Sequence, residues 1–200
     1  MAIGAGLTIK TEGRKNVSVA FAGDGATNQG TTFEAMNMAV ILKLPVVFAI
    51  ENNGFGEHTG NEYASGGDLT RRTEGFGLPC IKVDGTDFFT VYEAMQEAIE
   101  RAHKGEGPSA IEAVAFRWHG HFEGDPQAYR DKKTIAELRE SADPLTIFRS
   151  RVMAEEMLQP GQMDEIDAEV VTEVAQAVDY ALEAPQPNPG ELLTDVYVSY

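Results

Sequence analysis

Residues 21 to 30, FAGDGATNQG, place Asp24 between two glycines directly after an apolar run. Glycine turns that follow strands bring backbone N–H groups close to phosphates. A carboxylate at the tip of such a turn would repel a phosphate unless a cation came between them. Magnesium is a cation of that kind, because it takes oxygen ligands and bridges protein carboxylates to ligand phosphates. Asp24 can therefore ligate the metal, while the N–H groups of Gly25 and Ala26, at a helix start, face the phosphates. A second oxygen ligand is expected from a neighbouring strand end, where ENNG supplies Asn52 and Asn53. A neutral amide suits that place, since a diphosphate already brings negative charge. Read alone, Asn52-Asn53 is a turn, because asparagine tolerates left-handed geometry.

The competing reading of the glycine turn is a dinucleotide fingerprint and an NAD-binding oxidoreductase. Gly23 and Gly25 fit its first two glycines, but Asn28 stands at the third and Asp24 would face the pyrophosphate. A second chemical cluster is RWHGH, where Arg117, His119 and His121 alternate and would share one side of an extended chain. Solvated histidines at a strand end explain it in isolation. A transition-metal pair lacks an obvious third ligand. Arg130 is placed to tie this loop down. Glu123 and Asp125 read as solvated loop charges, and His58 and His103 as a loop and a helix-end residue without a role. Cys80, the single cysteine, excludes an internal disulfide and a cysteine metal cluster, and reads as a small buried residue.

The elements that must position these residues alternate. Val17 to Gly23 reads as a strand buried on both faces. Phe33, Met36, Val40, Ile41 and Leu44 then form one helical stripe. VVFAI, PCIKVDG and SAIEAVAFRW are further strands, and Val91, Ala94, Met95, Ala98 and Ala102 mark a helix before the last of them. GFGEHTGNEYASGGDLTRR has no period and reads as a long functional loop. Asp143-Pro144 starts a helical pair up to residue 184, the second helix carrying Ile166, Val170, Val174, Val178 and Ala181 on one face. TDVYVSY closes the chain as a short strand. The pattern predicts an α/β fold, a parallel sheet with helices on both faces, with an α/β domain over 1–140 and a C-terminal helical segment with terminal strand over 141–200. Ligands of such sheets sit beyond the carboxyl ends of the strands, where Gly23, Glu51 and His119 all fall.

Charge narrows the partners. Sixteen Lys and Arg against 32 Asp and Glu give a formal net charge of −16. That balance argues against nucleic acid and against an anionic membrane surface. Any anionic ligand must be held by local devices such as backbone N–H groups or a metal. No apolar run reaches a spanning length, and MAIGAGLTIK has no signal or import pattern, so the cytoplasm is the expected compartment.

GDGATNQG, with FEAMNMAVILKLPVVFAIENNGFG after it, resembles the thiamine diphosphate motif, GDG followed roughly thirty residues later by NN. The chain is most similar to the alpha subunits of 2-oxo acid and acetoin dehydrogenases, and the resemblance extends through RWHGHFEGDPQAYR to ELLTDVYVSY. It implies a thiamine diphosphate-binding fold and Mg2+ held by Asp24, the side chain of Asn53 and the main-chain carbonyl of Phe55. Gly25 and Ala26 would contact the diphosphate. His121 would bind cofactor and assist acyl transfer, with His119 and Arg117 in loop structure and anion contacts. Implied partners are a beta subunit, in a heterotetramer of two alpha and two beta chains, and the lipoyl domain of a dihydrolipoamide acyltransferase. The glutamate that activates the cofactor comes from the beta subunit in this family, so the chain would not catalyse alone. Phe122 stands where animal pyruvate and branched-chain enzymes carry a regulatory serine, which excludes phosphorylation there. HFEGD resembles the acetoin branch, so the implied substrate is acetoin or a small 2-oxo acid. Family alpha subunits carry a long segment ahead of the residues matched here, which implies an N-terminally truncated chain; a non-catalytic remnant or assembly module is the alternative.

Overall fold

Residues 1–159 and 161–194 are described by a computed structural model. Helix α1 (Ala2–Thr11) leads into β1 (Ser18–Gly23), a 3-10 turn (Gly25–Asn28), α2 (Gly30–Ile41) and β2 (Val46–Asn52). The stretch expected as a long loop contains four short elements: β3 (Phe55–Gly56), β4 (Thr59–Gly60), α3 (Asn61–Ala64) and α4 (Leu69–Glu74). Then come β5 (Cys80–Asp84), α5 (Phe88–His103), β6 (Ser109–Val114), α6 (Lys132–Ser141), α7 (Pro144–Ala154) and α8 (Gln162–Glu183). Helix α6 escaped the sequence reading because half of its side chains are charged and only Ile135, Ala136 and Leu138 are apolar. The described chain divides into two units, Met1–Ser150 and one beginning at Arg151. The closing strand expected over TDVYVSY lies, beyond Thr194, outside the described residues.

Four strands form a parallel sheet in the order β1-β2-β6-β5. Strand β2 has neighbours on both sides and buries alternate residues in opposite directions. Val46, Phe48 and Ile50 join Met36, Ala39 and Leu69 on one face; Val47 joins Ile111, Ala94 and Ala98 on the other. That two-faced burial is what its unbroken apolar run encodes. Strand β1, expected to be buried on both faces, is instead an edge strand among the described residues, and Phe21 on it is 84% exposed. Ile41 is also exposed, at 69%. Five residues at about 100° each carry it well away from the buried face of Met36.

The register aligns the carboxyl ends of the strands. Gly23 pairs with Glu51, and Val114 with both Asn52 and Asp84. Strand β6 stops at Val114 rather than running to Trp118, because both neighbours end there and leave no ladder partner. In the second unit, α8 is amphipathic as expected, but its Ile166, Val170, Val174 and Val178 are all exposed.

Candidate cofactor and metal site

Asp24 sits one residue beyond β1, where its N–H donates to the carbonyl of Glu51 on β2 (3.1 Å). Its own carbonyl accepts both the N–H (3.2 Å) and the hydroxyl (2.6 Å) of Thr27, which winds the chain into the 3-10 turn. Gln29 is extended, so α2 begins only at Gly30, and Gly25 and Ala26 open the tight turn rather than the helix itself. The turn is held from outside by Arg72 of α4. Its guanidinium donates to the Asn28 side-chain oxygen (2.9 Å) and the Thr27 carbonyl (3.2 Å) and lies over the Phe33 ring. The Asn28 amide also donates to Ser65 (2.8 Å). Asn28, which spoils a dinucleotide fingerprint, thus fixes the turn to the segment that follows β4.

The carboxylate of Asp24 is the unusual group. The residue is 1% exposed, and neither carboxylate oxygen has a hydrogen-bond partner. Burial raises its pKa; the nearby N–H groups of Asp24, Gly25 and Asn53, which do not reach hydrogen-bond geometry, and the charge of Arg117 pull the other way without prevailing. A buried carboxylate normally has partners, and one without them marks a place for a cation.

At the end of β2 the two asparagines part roles. Asn52 turns back into the sheet, donating to Glu112 of β6 (2.7 Å) and accepting from the Gly54 N–H (3.2 Å). The Asn53 side-chain oxygen accepts from the Phe55 N–H (3.2 Å), and its amide donates to Glu51 (3.4 Å). An amide oxygen has a second lone pair, so Asn53 keeps an acceptor for a metal. One carboxylate, one amide oxygen and one main-chain carbonyl are an all-oxygen donor set suited to Mg2+. Among the described residues no group of three His, Cys, Asp or Glu side chains could hold a metal ion.

The hairpin of β3 and β4 joins the two halves of the site. Gly56 packs so closely on Gly25 that a β-carbon on Gly25 would lie 2.9 Å from the Gly56 α-carbon. On its other side the hairpin meets the RWHGH loop. Arg117 donates to the Glu57 carbonyl (2.7 Å) and the Tyr129 hydroxyl (2.8 Å), with its guanidinium over the Phe55 ring. Arg130 does tie the loop down, reaching the carbonyls of Arg117 and His119 (2.7 Å to the latter). A cavity of about 230 Å³ opens here, lined by Asn53, Phe55, Arg117, Tyr129, Ile135 and Leu138. A larger one, about 540 Å³, lies at the opposite edge of the sheet among Lys10, Lys15, Lys43 and His103, away from Asp24.

Arg117, His119 and His121 lie past the end of β6, in a loop shaped by an acid rather than in an extended row. That acid is Asp125, which was expected to be solvated; its side chain is almost wholly buried. It accepts from the His121 N–H (2.9 Å), the Gln127 N–H (2.9 Å) and the Tyr129 hydroxyl (2.7 Å). Burial pushes its pKa up, but those three hydrogen bonds and the charge of His58 outweigh it and hold the carboxyl down to about 2. His58, given no role by the sequence, stands beside His121 with ring centroids 6.0 Å apart and its Nε2 3.6 Å from Asp125. A histidine inside an apparently aperiodic loop carried no signal of this contact. Arg72 and Glu112 were missed for the same reason: each acts across distant parts of the chain.

The chain as a whole is similar to known proteins. The family of the dehydrogenase E1 component matches residues 1–190. The chain is 46% identical over 198 residues to the alpha subunit of acetoin:2,6-dichlorophenolindophenol oxidoreductase from Cupriavidus necator, covering 98% of this chain and 60% of the relative. It is 45% identical over 201 residues to the Bacillus subtilis protein of the same name, covering 100% and 60%. A pyruvate dehydrogenase E1 component subunit alpha from Rhizobium meliloti is 37% identical over 199 residues, covering 98% and 57%. The chain therefore spans about 60% of the length of the acetoin relatives it matches. With its buried acid, asparagine turn and histidine loop set along one sheet edge, the chain belongs to the dehydrogenase E1 component family.

Proposed function

We propose that this chain supplies the diphosphate and metal half of a thiamine diphosphate-dependent dehydrogenase, as its alpha subunit. The observation that carries the reading is the buried, unpartnered carboxylate of Asp24 beside the Asn53 turn. Asp24, the Asn53 side-chain oxygen and the Phe55 carbonyl would hold Mg2+, and the N–H groups of Gly25 and Ala26 would meet the diphosphate. When bound, thiamine diphosphate supplies an electron sink for breaking a carbon–carbon bond beside a carbonyl. The glycine pair Gly25 and Gly56 lets backbone approach where side chains would intrude. His121, on the loop braced by Asp125, would orient the cofactor or exchange a proton at its imidazole.

The names of the Cupriavidus necator and Bacillus subtilis relatives support acetoin as substrate, with a 2-oxo acid such as pyruvate as the alternative. The partners in this reading are a beta subunit, in a heterotetramer of two alpha and two beta chains, and a lipoyl domain of a dihydrolipoamide acyltransferase that takes the acyl group. The cytoplasm belongs to the same reading; among the described residues no helix is long and apolar enough to cross a membrane.

Calorimetry of the protein purified with its beta subunit tests the reading. Thiamine diphosphate binding that requires Mg2+, and that Asp24→Asn abolishes, is the expected result. Binding indifferent to Mg2+ or to Asp24→Asn would overturn it.

A further inference from the structure

Glu112 lies in the middle of β6, is 1% exposed, and takes no part in the chemistry described above. A carboxylate so placed requires partners, and it has three from three different elements. The Asn52 amide at the end of β2 donates to one oxygen (2.7 Å), and the Thr70 hydroxyl of α4 donates to the other (2.7 Å). Lys82 of β5 donates to the first (3.0 Å). Burial works to raise its pKa, but these three donors and the Lys82 charge lower it, so the group is an anion held in place.

Both routes lead to the candidate metal ligands. Through Asn52, Glu112 fixes the turn that aims Asn53 and Phe55, since the Asn52 oxygen in turn accepts from the Gly54 N–H. Through Thr70 it fixes α4, whose Arg72 grips Thr27 and Asn28. Thr27 in turn donates twice to the carbonyl of Asp24. One buried carboxylate is thus joined by hydrogen bonds to the Asp24 side of the site and to the Asn53 side. An octahedral cation tolerates little error in ligand position, so the spacing between these two sides governs affinity.

We infer that Glu112 is a positioning residue that sets the distance between Asp24 and the Asn53 turn, and so tunes Mg2+-dependent binding of a diphosphate. The inference rests on the function proposed above. Its test is calorimetric titration of Mg2+ and thiamine diphosphate into the protein purified with its beta subunit. Glu112→Gln keeps the size of the side chain but removes its charge, and it weakens Mg2+ and cofactor binding by about 10–100-fold, the usual range for a group behind a metal ligand. Excess Mg2+ restores the cofactor affinity of the variant, which a general loss of packing would not do. Asn52→Ala, which cuts only the arm to the metal turn, gives a comparable loss, and the double variant is no weaker than the weaker single one.

Wild-type affinity in Glu112→Gln, losses that simply add, or no rescue by Mg2+ would each overturn the inference. If Glu112→Gln does not fold by circular dichroism, Asn52→Ala and Thr70→Val cut the two arms separately, and wild-type affinity in both would overturn it equally. A wild-type protein that binds no cofactor in Mg2+ would instead overturn the proposed function, and this inference with it.

Discussion

Two buried carboxylates, one beyond the end of β1 and one within β6, meet opposite fates. Glu112 receives three donors and is lowered in pKa, whereas Asp24 receives none and is raised by burial. An acid whose folded pKa is raised costs stability at every pH above its unfolded value, and that cost disappears as pH falls through the raised value. Asp24 therefore destabilises the ligand-free protein at neutral pH. Asp24→Asn should raise the melting temperature of the ligand-free protein. Relief of about 1 kcal/mol corresponds to roughly 2–4 °C for a chain of this size. A fall in a thermal melt followed by circular dichroism would contradict this account. The sequence exposes Asp24 because its charge is at odds with the glycine turn around it; Glu112 in an ordinary apolar strand shows nothing comparable.

At the scale of elements, the β3–β4 hairpin and the loop after β6 decide the shape of the site. The contact of Gly25 with Gly56 leaves no room for a β-carbon. Gly25→Ala must push the hairpin away and with it Phe55. Overpacking of this kind costs about 1–3 kcal/mol, and the loss of Mg2+-dependent cofactor affinity should exceed the loss of stability. Titration calorimetry beside a thermal melt separates the two. The loop after β6 depends on ionised Asp125. With its carboxyl held down to about 2, the stabilisation is complete above the ordinary carboxylate value and lost as pH falls from about 4 to about 2. Trp118 fluorescence and protease sensitivity should therefore stay constant from neutral pH down to about 5 and change below about 4. Asp125→Asn should show the loosened loop already at neutral pH.

Across the whole molecule the formal charge of −16 opposes compaction. Raising ionic strength from about 0.01 M to about 0.15 M shortens the screening length from about 30 Å to about 8 Å. The melting temperature should rise with sodium chloride over that range, and a flat or falling curve would show that the acids are locally compensated. Apolar surface remains exposed in both units: Phe21 on the edge strand and Ile41 on α2 in the first, and the valine stripe of α8 in the second.

The sequence by itself determined the alternation of strands and helices, the parallel sheet, and the pairing of a GDG turn with an NN turn. Those features are local: periodicity marks burial, and glycine and asparagine mark the turns where a ligand can approach. It also marked Asp143 as a cap, which the structure shows accepting from the Leu145 N–H. Tertiary structure alone decided which strand lay at the edge, and hence that Phe21 faces outward. It alone set the two asparagines apart, Asn52 to Glu112 and Asn53 to the Phe55 N–H. It alone folded the aperiodic stretch over 54–72 into a bridge that brings Arg72 to the glycine turn and His58 to His121. The reason is distance along the chain: Glu112 lies 60 residues from Asn52 and 42 from Thr70, and no local pattern encodes contacts that far apart.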